Sequence, residues 1–249
     1  MPVAPLECTT DACRSMTATI FGREYTVAVN PISLDHGLMV WDASMALLRF
    51  FEHNPKELSA LRGARILELG AGTGLLGIAL AHAVGAHVVL TDLEHVCANI
   101  AANVRANALP PGAPGSVRVA PYSWSGEAPP ELCAHGPFDF IIGTDVAYSE
   151  SLNPTLIASA AAFAAASAPR CTVFFANELR CSIAQGVFDA EWPKFFTAKR
   201  IAVKLMHPEW RDKNMIFFKM RLRRKRAGVS AGGGPDDAGH DDDDGGGEE

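Results

Sequence analysis

The sequence predicts an α/β fold: a seven-stranded, mostly parallel sheet with an antiparallel C-terminal hairpin and helices on both faces. From Arg65 onward, short runs of β-branched residues alternate with alanine-rich stretches of helical length. Alternation of this kind indicates a parallel sheet that is covered by helices. The last two strand candidates are separated only by residues 207–214, which are too few for a crossover helix, so we expect them to pair antiparallel.

Each element is predicted from its apolar pattern and from the residues that bound it. Strands are expected at residues 65–69, 87–91, 117–121, 138–144, 172–177, 199–206 and 215–222. Helices are expected at residues 75–84, 96–106, 152–168 and 183–188. Ahead of the sheet, residues 17–21 and 25–29 should form a hairpin, and residues 40–51 have the spacing of an amphipathic helix.

We expect one domain, at residues 61–226, with additions at both ends. Residues 1–16 should be flexible, residues 17–60 should form a hairpin and helix cap over the site, and residues 227–249 should be disordered, because they offer few apolar side chains. All 22 Lys and Arg lie at or before Arg226, whereas eight of the 28 acidic residues follow it. The net charge of −6 therefore comes from the tail and says little about the site.

Composition also limits the class of protein. No apolar run reaches the roughly 20 residues of a membrane helix, and the start of the chain lacks the apolar core of a signal peptide. We expect a cytoplasmic monomer, with the nucleus as a second location, because the basic run 221–226 suits nuclear import or an acidic partner as well as a solvated strand end. The six cysteines show no Cys-x-x-Cys pair, so we expect reduced thiols rather than a metal or disulfide set.

A glycine-rich loop follows the first strand of the predicted sheet. Residues 70–74 read Gly-Ala-Gly-Thr-Gly and lead into a helix. Glycines allow positive φ angles and let the backbone approach a ligand, while the helix start presents free N–H groups. Asp92 closes the second strand, where its carboxylate suits the two hydroxyls of a ribose. The expected loop contacts are Gly70, Ala71, Gly72 and Gly74.

Two cofactors suit this Rossmann-like loop, a nicotinamide dinucleotide and S-adenosyl-L-methionine. Residues 72–77 read G-x-G-x-x-G with Asp92 about 20 residues on, as a dinucleotide requires. Glu68 favours S-adenosyl-L-methionine, because a carboxylate can receive the amino group of the methionine, directly or through water, but repels a pyrophosphate. The sequence also lacks a Tyr-x-x-x-Lys pair for hydride-transfer chemistry. We therefore predict S-adenosyl-L-methionine.

Six blocks carry a wider likeness in their order and spacing. They are residues 37–51 (GLMVWDASMALLRFF), 67–77 (LELGAGTGLLG) and 91–93 (TDL), Asn103 with Asn107, Trp124, and residues 138–148 (FDFIIGTDVAY). Together, from about Gly37 to Arg180, they resemble the methyltransferase-16 family of seven-β-strand protein-lysine methyltransferases. The resemblance implies cofactor contacts at Trp41, Gly70, Ala71, Gly72, Asp92, Trp124 and Thr144, and we include Leu93 from the third block.

Two departures from the family pattern leave the reacting groups in place. Thr144 stands where the family usually has Ala, and its hydroxyl could contact adenine; Ser125 stands where Gly is usual. An indole such as that of Trp41 can cover the adenine or the sulfonium, since cations favour aromatic faces. By periodicity alone, Trp41 would be a core residue of its helix.

The Asp-Val-Ala-Tyr block follows the fourth strand, at the edge where open α/β folds place their sites. Methyl transfer needs a neutral amine, although a free lysine has a pKa near 10.4. We assign the catalytic role, positioning the substrate lysine, to Asp145 and Tyr148, with the proton leaving to water. Residues 177–180 fall where relatives often have an acid and an Arg near the substrate mouth; a surface ion pair is the alternative.

The predicted function is Nε-methylation of a lysine in an intracellular protein, so the expected partner is a protein substrate and neither a membrane nor a nucleic acid. Two alternatives stay open: a methyltransferase for nucleic acid or a small molecule, and a non-catalytic binding module. Against the first, the Asn/Asp-Pro-Pro-aromatic turn of amino-adenine enzymes is absent, and so is a basic face interleaved with aromatic residues outside residues 221–226. The glycine loop with Asp92 and Asp145 argues against the second.

Overall fold

The computed structural model describes residues 14–30, 36–167, 169 and 171–223. In these ranges the strands are β1 (Arg14–Ile20), β2 (Arg23–Val29), β3 (Arg65–Leu69), β4 (His87–Asp92), β5 (Ser116–Pro121), β6 (Phe140–Thr144), β7 (Thr172–Glu178), β8 (Phe196–Arg200) and β9 (Met215–Leu222). The α-helices are α1 (Asp42–His53), α2 (Pro55–Ala60), α3 (Leu75–Val84), α4 (Glu94–Ala106), α5 (Pro130–Cys133), α6 (Asn153–Ala166) and α7 (Ser182–Glu191).

Strands β3 to β9 form one seven-stranded sheet in the order β5-β4-β3-β6-β7-β9-β8. Strands β3 to β7 run parallel, whereas β9 is antiparallel to both β7 and β8. Helices α1, α3 and α4 pack on one face, and α6 and α7 pack on the other. The predicted fold class is confirmed. The strand order reverses between β3 and β6, and open α/β sheets bind ligands at the carboxyl edge of such a point.

The central strand β3 is buried on both faces, which explains why both of its faces carry apolar side chains. Ile66 packs toward α1 and α3, whereas Leu67 and Leu69 pack toward α6. Helix α1 covers the neighbouring part of the sheet, where the rings of Phe51 and Phe174 meet with centres 5.8 Å apart. This double burial fixes the end of β3, and therefore the start of the glycine loop.

The hairpin β1–β2 is held against α4 by two asparagine side chains. Asn103 Oδ1 accepts from the Ala28 N–H at 2.7 Å, and Asn103 Nδ2 donates to the Thr73 carbonyl at 2.9 Å. One turn later, Asn107 Nδ2 donates to the Thr26 carbonyl at 2.8 Å, and Asn107 Oδ1 accepts from the Thr26 N–H at 3.2 Å. The two side-chain amides bond backbone groups of β2, as a neighbouring strand would. Asn103 also connects the hairpin to the glycine loop.

The C-terminal hairpin differs from its prediction. The strand expected at residues 199–206 is wrong in its bounds, because β8 begins three residues earlier and Val203–Leu205 forms a 3-10 turn. The first residue of β8 is buried, and the apolar residues that follow the strand do not line one face of a sheet. Instead, Met206 and Trp210 turn into the core on the side of α1. Residues 201–206 therefore form a turn that buries Ile201 and Met206 but leaves Val203 and Leu205 exposed.

Smaller differences concern the ends of elements. Strand β6 begins two residues later than expected, α6 ends two residues earlier, and α7 extends to Glu191. Helices α2 and α5 were not predicted; each is short and begins with proline, which suits the first position of a helix. Residues 14–16, expected to be flexible, belong to β1. The flexibility expected at residues 1–13, the disorder expected at residues 227–249 and most of the basic run lie outside the described residues.

None of the helices in the described ranges has the length and hydropathy of a membrane-spanning segment. In the same ranges, no group of three or more His, Cys, Asp or Glu side chains is placed to hold a metal ion. The cysteines that the structure describes carry free thiols, at Cys97, Cys133, Cys171 and Cys181.

Candidate functional site

A cavity of about 480 Å³ opens at the carboxyl edge of the sheet. This volume falls within the usual range for a small-molecule site. Its walls come from the loops after β3, β4, β5, β6 and β7 and from the segment that leads into α1. The lining residues are Gly37, Trp41, Gly70, Gly72, Asp92, Leu93, Tyr122, Ser123, Trp124, Thr144, Asp145, Val146, Tyr148, Leu152 and Arg180.

The glycine loop forms the floor of this cavity. Gly70 has a φ of 68°, and a Cβ at this position would lie 2.7 Å from Val146 Cγ1 and 3.2 Å from Trp124 Cζ2. Both the backbone conformation and the close approach therefore require glycine. The loop leaves the sheet as a bare backbone surface, which suits a ligand that contacts main-chain groups.

Asp92 fixes the glycine loop to the end of β4. Its Oδ2 accepts from the Gly72 N–H at 2.8 Å, and its Oδ1 accepts from the Leu93 N–H at 2.8 Å. A carboxylate has about four acceptor sites, and these two backbone donors use two of them. Because Asp92 also lines the cavity, the geometry fits a ribose held on this side.

Aromatic side chains form two walls of the cavity. The rings of Trp124 and Tyr148 lie with centres 6.4 Å apart, and half of the Tyr148 surface is exposed. Elsewhere in the lining, Trp41 directly precedes α1, and the Arg180 guanidinium lies 4.5 Å from the centre of its ring. The site therefore offers flat apolar faces, which suit an adenine and a sulfonium cation.

Asp145 is a buried carboxylate in the left-handed backbone region, with a φ of 54°. Its Oδ1 accepts from the Glu178 N–H at 2.8 Å, and its Oδ2 accepts from the Ala43 N–H at 3.0 Å. Asp145 therefore joins the end of β7 to the first turn of α1. Burial raises the pKa of Asp145, whereas the two N–H groups and the Arg180 guanidinium lower it. The net shift is upward because desolvation outweighs these partners.

Nine of the predicted site residues line the cavity: Trp41, Gly70, Gly72, Asp92, Leu93, Trp124, Thr144, Asp145 and Tyr148. Ala71 and Gly74 do not line it. The Ala71 N–H donates to the carbonyl of Thr91 at 2.9 Å, and Gly74 is the N-cap of α3, with a φ of 80° and with core side chains 3.0 Å from where a Cβ would lie. Both residues therefore shape the loop through contacts with β4 and the core, on the side away from the cavity.

Glu68 also lies outside the cavity, buried in the core below the first turn of α3. A Cβ on Gly77 would approach Glu68 Oε2 to 2.7 Å, so this glycine leaves room for the carboxyl. Burial is the main reason that the pKa of Glu68 is raised to about 8, and the charge of Asp92 adds to it, whereas the backbone of Gly77 lowers it. In this position Glu68 supports the loop through the helix start, and its role as a cofactor contact stays a prediction.

Six lining residues were not among the predicted site residues. Tyr122 and Ser123 follow β5, and the rule that ligands bind at carboxyl ends could have indicated them. Val146 lies inside the Asp-Val-Ala-Tyr block, and Gly37 opens the first family block. Arg180 was noted only as a residue near the mouth, and no sequence signal points to Leu152.

Comparisons with known proteins indicate the family of the chain. The family model described as "Lysine methyltransferase" matches residues 28–190. The chain is 36% identical over 141 residues to protein N-lysine methyltransferase METTL21A of Danio rerio, which covers 54% of this chain and 62% of the relative. It is 36% identical over 141 residues to EEF1A lysine methyltransferase 3 of Mus musculus, covering 57% of this chain and 55% of the relative.

Solved structures agree on the fold. The 16S rRNA N2 G1207 methyltransferase (RsmC) of T. thermophilus, in complex with AdoMet and guanosine, superposes with a TM-score of 0.57 at 22% identity, covering 86% of this chain and 52% of that chain. A putative SAM-dependent methyltransferase of Streptococcus mutans gives a TM-score of 0.53 at 14% identity, covering 83% and 55%.

The matches to the two named relatives span 55% to 62% of the relatives' own length. The family model, by contrast, extends over more than half of this chain, from the last residues of β2 to the end of α7. It contains every residue that lines the cavity. On this match, the chain belongs to the lysine methyltransferase family.

Proposed function

We propose that this protein uses S-adenosyl-L-methionine to methylate the side-chain amine of a lysine in a protein substrate. The observation that carries the proposal is the composition of one cavity. The glycine loop, through Gly70 and Gly72, lines it together with Asp92, Asp145, Tyr148 and Trp41. A nucleoside-type cofactor and an amine acceptor would therefore meet in the same space. The named relatives are protein-lysine methyltransferases, which supports a protein as the acceptor.

The cofactor half would hold S-adenosyl-L-methionine through backbone and aromatic groups. The backbone of Gly70 and Gly72 would face its methionine portion, and the Asp92 carboxylate would accept from its ribose hydroxyls. Trp124 and Thr144 border the space for the adenine. When bound, the cofactor supplies an electrophilic methyl group on a sulfonium.

The acceptor half would hold the substrate lysine beside that methyl group. Asp145 and Tyr148 present a carboxylate and a phenol to the cavity, and both can accept hydrogen bonds from an amine. Two backbone N–H donors hold the Asp145 carboxylate in place, so its orientation does not depend on the substrate. Positioning of this kind favours in-line attack, while the amine proton leaves to water.

Binding and transfer can be tested separately. Calorimetry on the full chain should detect S-adenosyl-L-methionine binding, and Asp92→Ala should weaken it. Incubation with methyl-labelled cofactor and a cell lysate, followed by protease or ribonuclease treatment, should place the label in protein as methyl-lysine. Label that is removed only by ribonuclease would contradict the lysine proposal. Failure to bind the cofactor would favour a non-catalytic binding module. A monomeric, cytoplasmic protein remains our expectation.

A further inference from the structure

The Arg180 guanidinium is enclosed by three groups where the cavity meets solvent. It lies 4.5 Å from the ring centre of Trp41, and its Nη2 lies 3.4 Å from Asp145 Oδ2. The same nitrogen is paired with the Glu178 carboxylate. An aromatic face and two carboxylates are the groups that select an organic cation.

These four residues come from three separate parts of the chain. Trp41 precedes α1, Asp145 follows β6, and Glu178 and Arg180 lie at the end of β7. They differ in how firmly they are held. The Asp145 side chain is 3% exposed and bonded to two backbone N–H groups, whereas the Arg180 side chain is 41% exposed. The Asp145 carboxylate is therefore fixed in place, whereas the Arg180 side chain can move out of the cluster.

We propose that Arg180 occupies the subsite of the acceptor amine, so that a substrate lysine enters by displacing this internal cation. The inference rests on the proposed function and deepens it. It adds Trp41 and Glu178 to the residues that recognise the acceptor, and it makes Arg180 a competitor for the subsite. In this exchange one cation replaces another, and the buried Asp145 carboxylate is not left without a counter-charge.

The Arg180 guanidinium is well suited to the role of a competitor for the subsite. Arginine stays charged at all ordinary pH values, so it fills the subsite as a guanidinium whatever the pH. Lysine, in contrast, can lose a proton once it is inside the cavity. The subsite therefore stays filled by a cation until a substrate with a comparable charge arrives.

The probe for this subsite is n-butylammonium, which has the shape and charge of a lysine side chain. Its binding to the full chain is measured by NMR, together with the shift of the Trp41 indole N–H, which is assigned with Trp41→Phe. Removing the competitor in Arg180→Ala should tighten n-butylammonium binding about tenfold and move the Trp41 signal. The matched control is Lys213→Ala, which removes a cation 4.1 Å from the ring of Trp210 outside the cavity, and it should bind the probe as the wild type does.

Equal affinity for n-butylammonium in the wild type and in Arg180→Ala, or a Trp41 signal that does not respond, would overturn the proposal. If Arg180→Ala fails to fold, Arg180→Gln serves instead, because it keeps part of the aliphatic stem and two N–H donors but removes the charge. Methyl transfer from labelled cofactor is followed separately. Tighter probe binding without any lysine methylation would support the cation subsite and contradict the proposed function, whereas methylation with unchanged probe binding would overturn the subsite alone.

Discussion

The two halves of the cavity are built by different means. On the side of β3 and β4, the glycine loop and Asp92 are joined by hydrogen bonds between a carboxylate and backbone N–H groups. On the side of β6 and β7, Asp145 also accepts from backbone N–H groups, but it belongs to a cluster of side chains that includes Trp41 and Arg180. The first half presents polar backbone together with the Asp92 carboxylate and the Trp124 ring, whereas the second presents a carboxylate, an aromatic ring and a cation that contact one another.

This difference separates what each half recognises. Backbone groups in a fixed loop suit one invariant ligand, because their positions do not depend on side-chain choice. A cluster of side chains from three elements can be altered residue by residue, which suits an acceptor that differs among enzymes. We therefore expect substitutions in the first half to act on cofactor affinity and those in the second to act on turnover.

Asp145→Ala should have the largest effect. Loss of the acceptor-side carboxylate should lower single-turnover methylation about a thousandfold, while the affinity for S-adenosyl-L-methionine falls by less than about tenfold. The unfolding free energy should also fall by about 2–4 kcal/mol, because the N–H groups of Ala43 and Glu178 lose their acceptor. A folded Asp145→Ala protein that methylates at the wild-type rate would contradict the assignment.

Asp92→Ala should weaken cofactor binding about a hundredfold by calorimetry, since the carboxylate anchors the loop through Gly72 and faces the ribose side. The matched control is Asp139→Ala at the opposite edge of the sheet. Asp139 also accepts from a backbone N–H, that of Arg65 at 2.9 Å, but it does not line the cavity. Equal losses of cofactor affinity in both variants would show that only general stability had changed.

Gly70→Ala should weaken cofactor binding about tenfold and destabilise the protein by about 1–3 kcal/mol. The added methyl would meet Val146 and Trp124 in a residue with positive φ. Gly112→Ala is the control, because Gly112 also has a positive φ but no atom within 4 Å of the added Cβ. The difference between the two variants, measured by urea unfolding and calorimetry, isolates the contact with Val146 and Trp124.

Glu68→Gln should have the smallest effect on the site, changing cofactor affinity by less than about threefold. A much larger loss would favour a direct or water-mediated contact between Glu68 and the cofactor. Its measurable effect should be on the pH dependence of stability. The folded protein keeps this carboxyl protonated up to a pKa of about 8, whereas the unfolded chain releases the proton near 4.5.

Between these pH values the unfolded state binds fewer protons than the folded state, so this residue makes the unfolding free energy fall as pH rises. The slope is at most about 1.4 kcal/mol per pH unit. Urea unfolding at about pH 5.5 and 7.5 should show that Glu68→Gln removes this fall of the unfolding free energy with pH. The surface control Glu131→Gln should retain it. Equal slopes in the two variants would contradict a protonated Glu68.

The fold and the cofactor half could be predicted because their signals are local. The loop at residues 70–74 and the strand end at Asp92 are contiguous motifs whose geometry follows from glycine and from sheet register. The position of Asp145 at the end of a strand could be predicted from the sequence. Its contacts with Ala43 and Arg180 could not, because they join segments that are distant in the chain. Glu68 shows the limit of a local pattern, because strand alternation turns its side chain under α3 and away from the cavity.

Asn103 connects the hairpin to the glycine loop, so the stability of the hairpin should depend on whether a ligand occupies the cavity. Asn103 bonds both to the Ala28 N–H in β2 and to the Thr73 carbonyl in the loop. A change that stabilises the loop should therefore also stabilise β2. By thermodynamic reciprocity, a ligand that orders the loop must make the opening of β2 less favourable. The amide of Ala28, remote from the cavity, should therefore exchange with deuterium more slowly when the cofactor is bound.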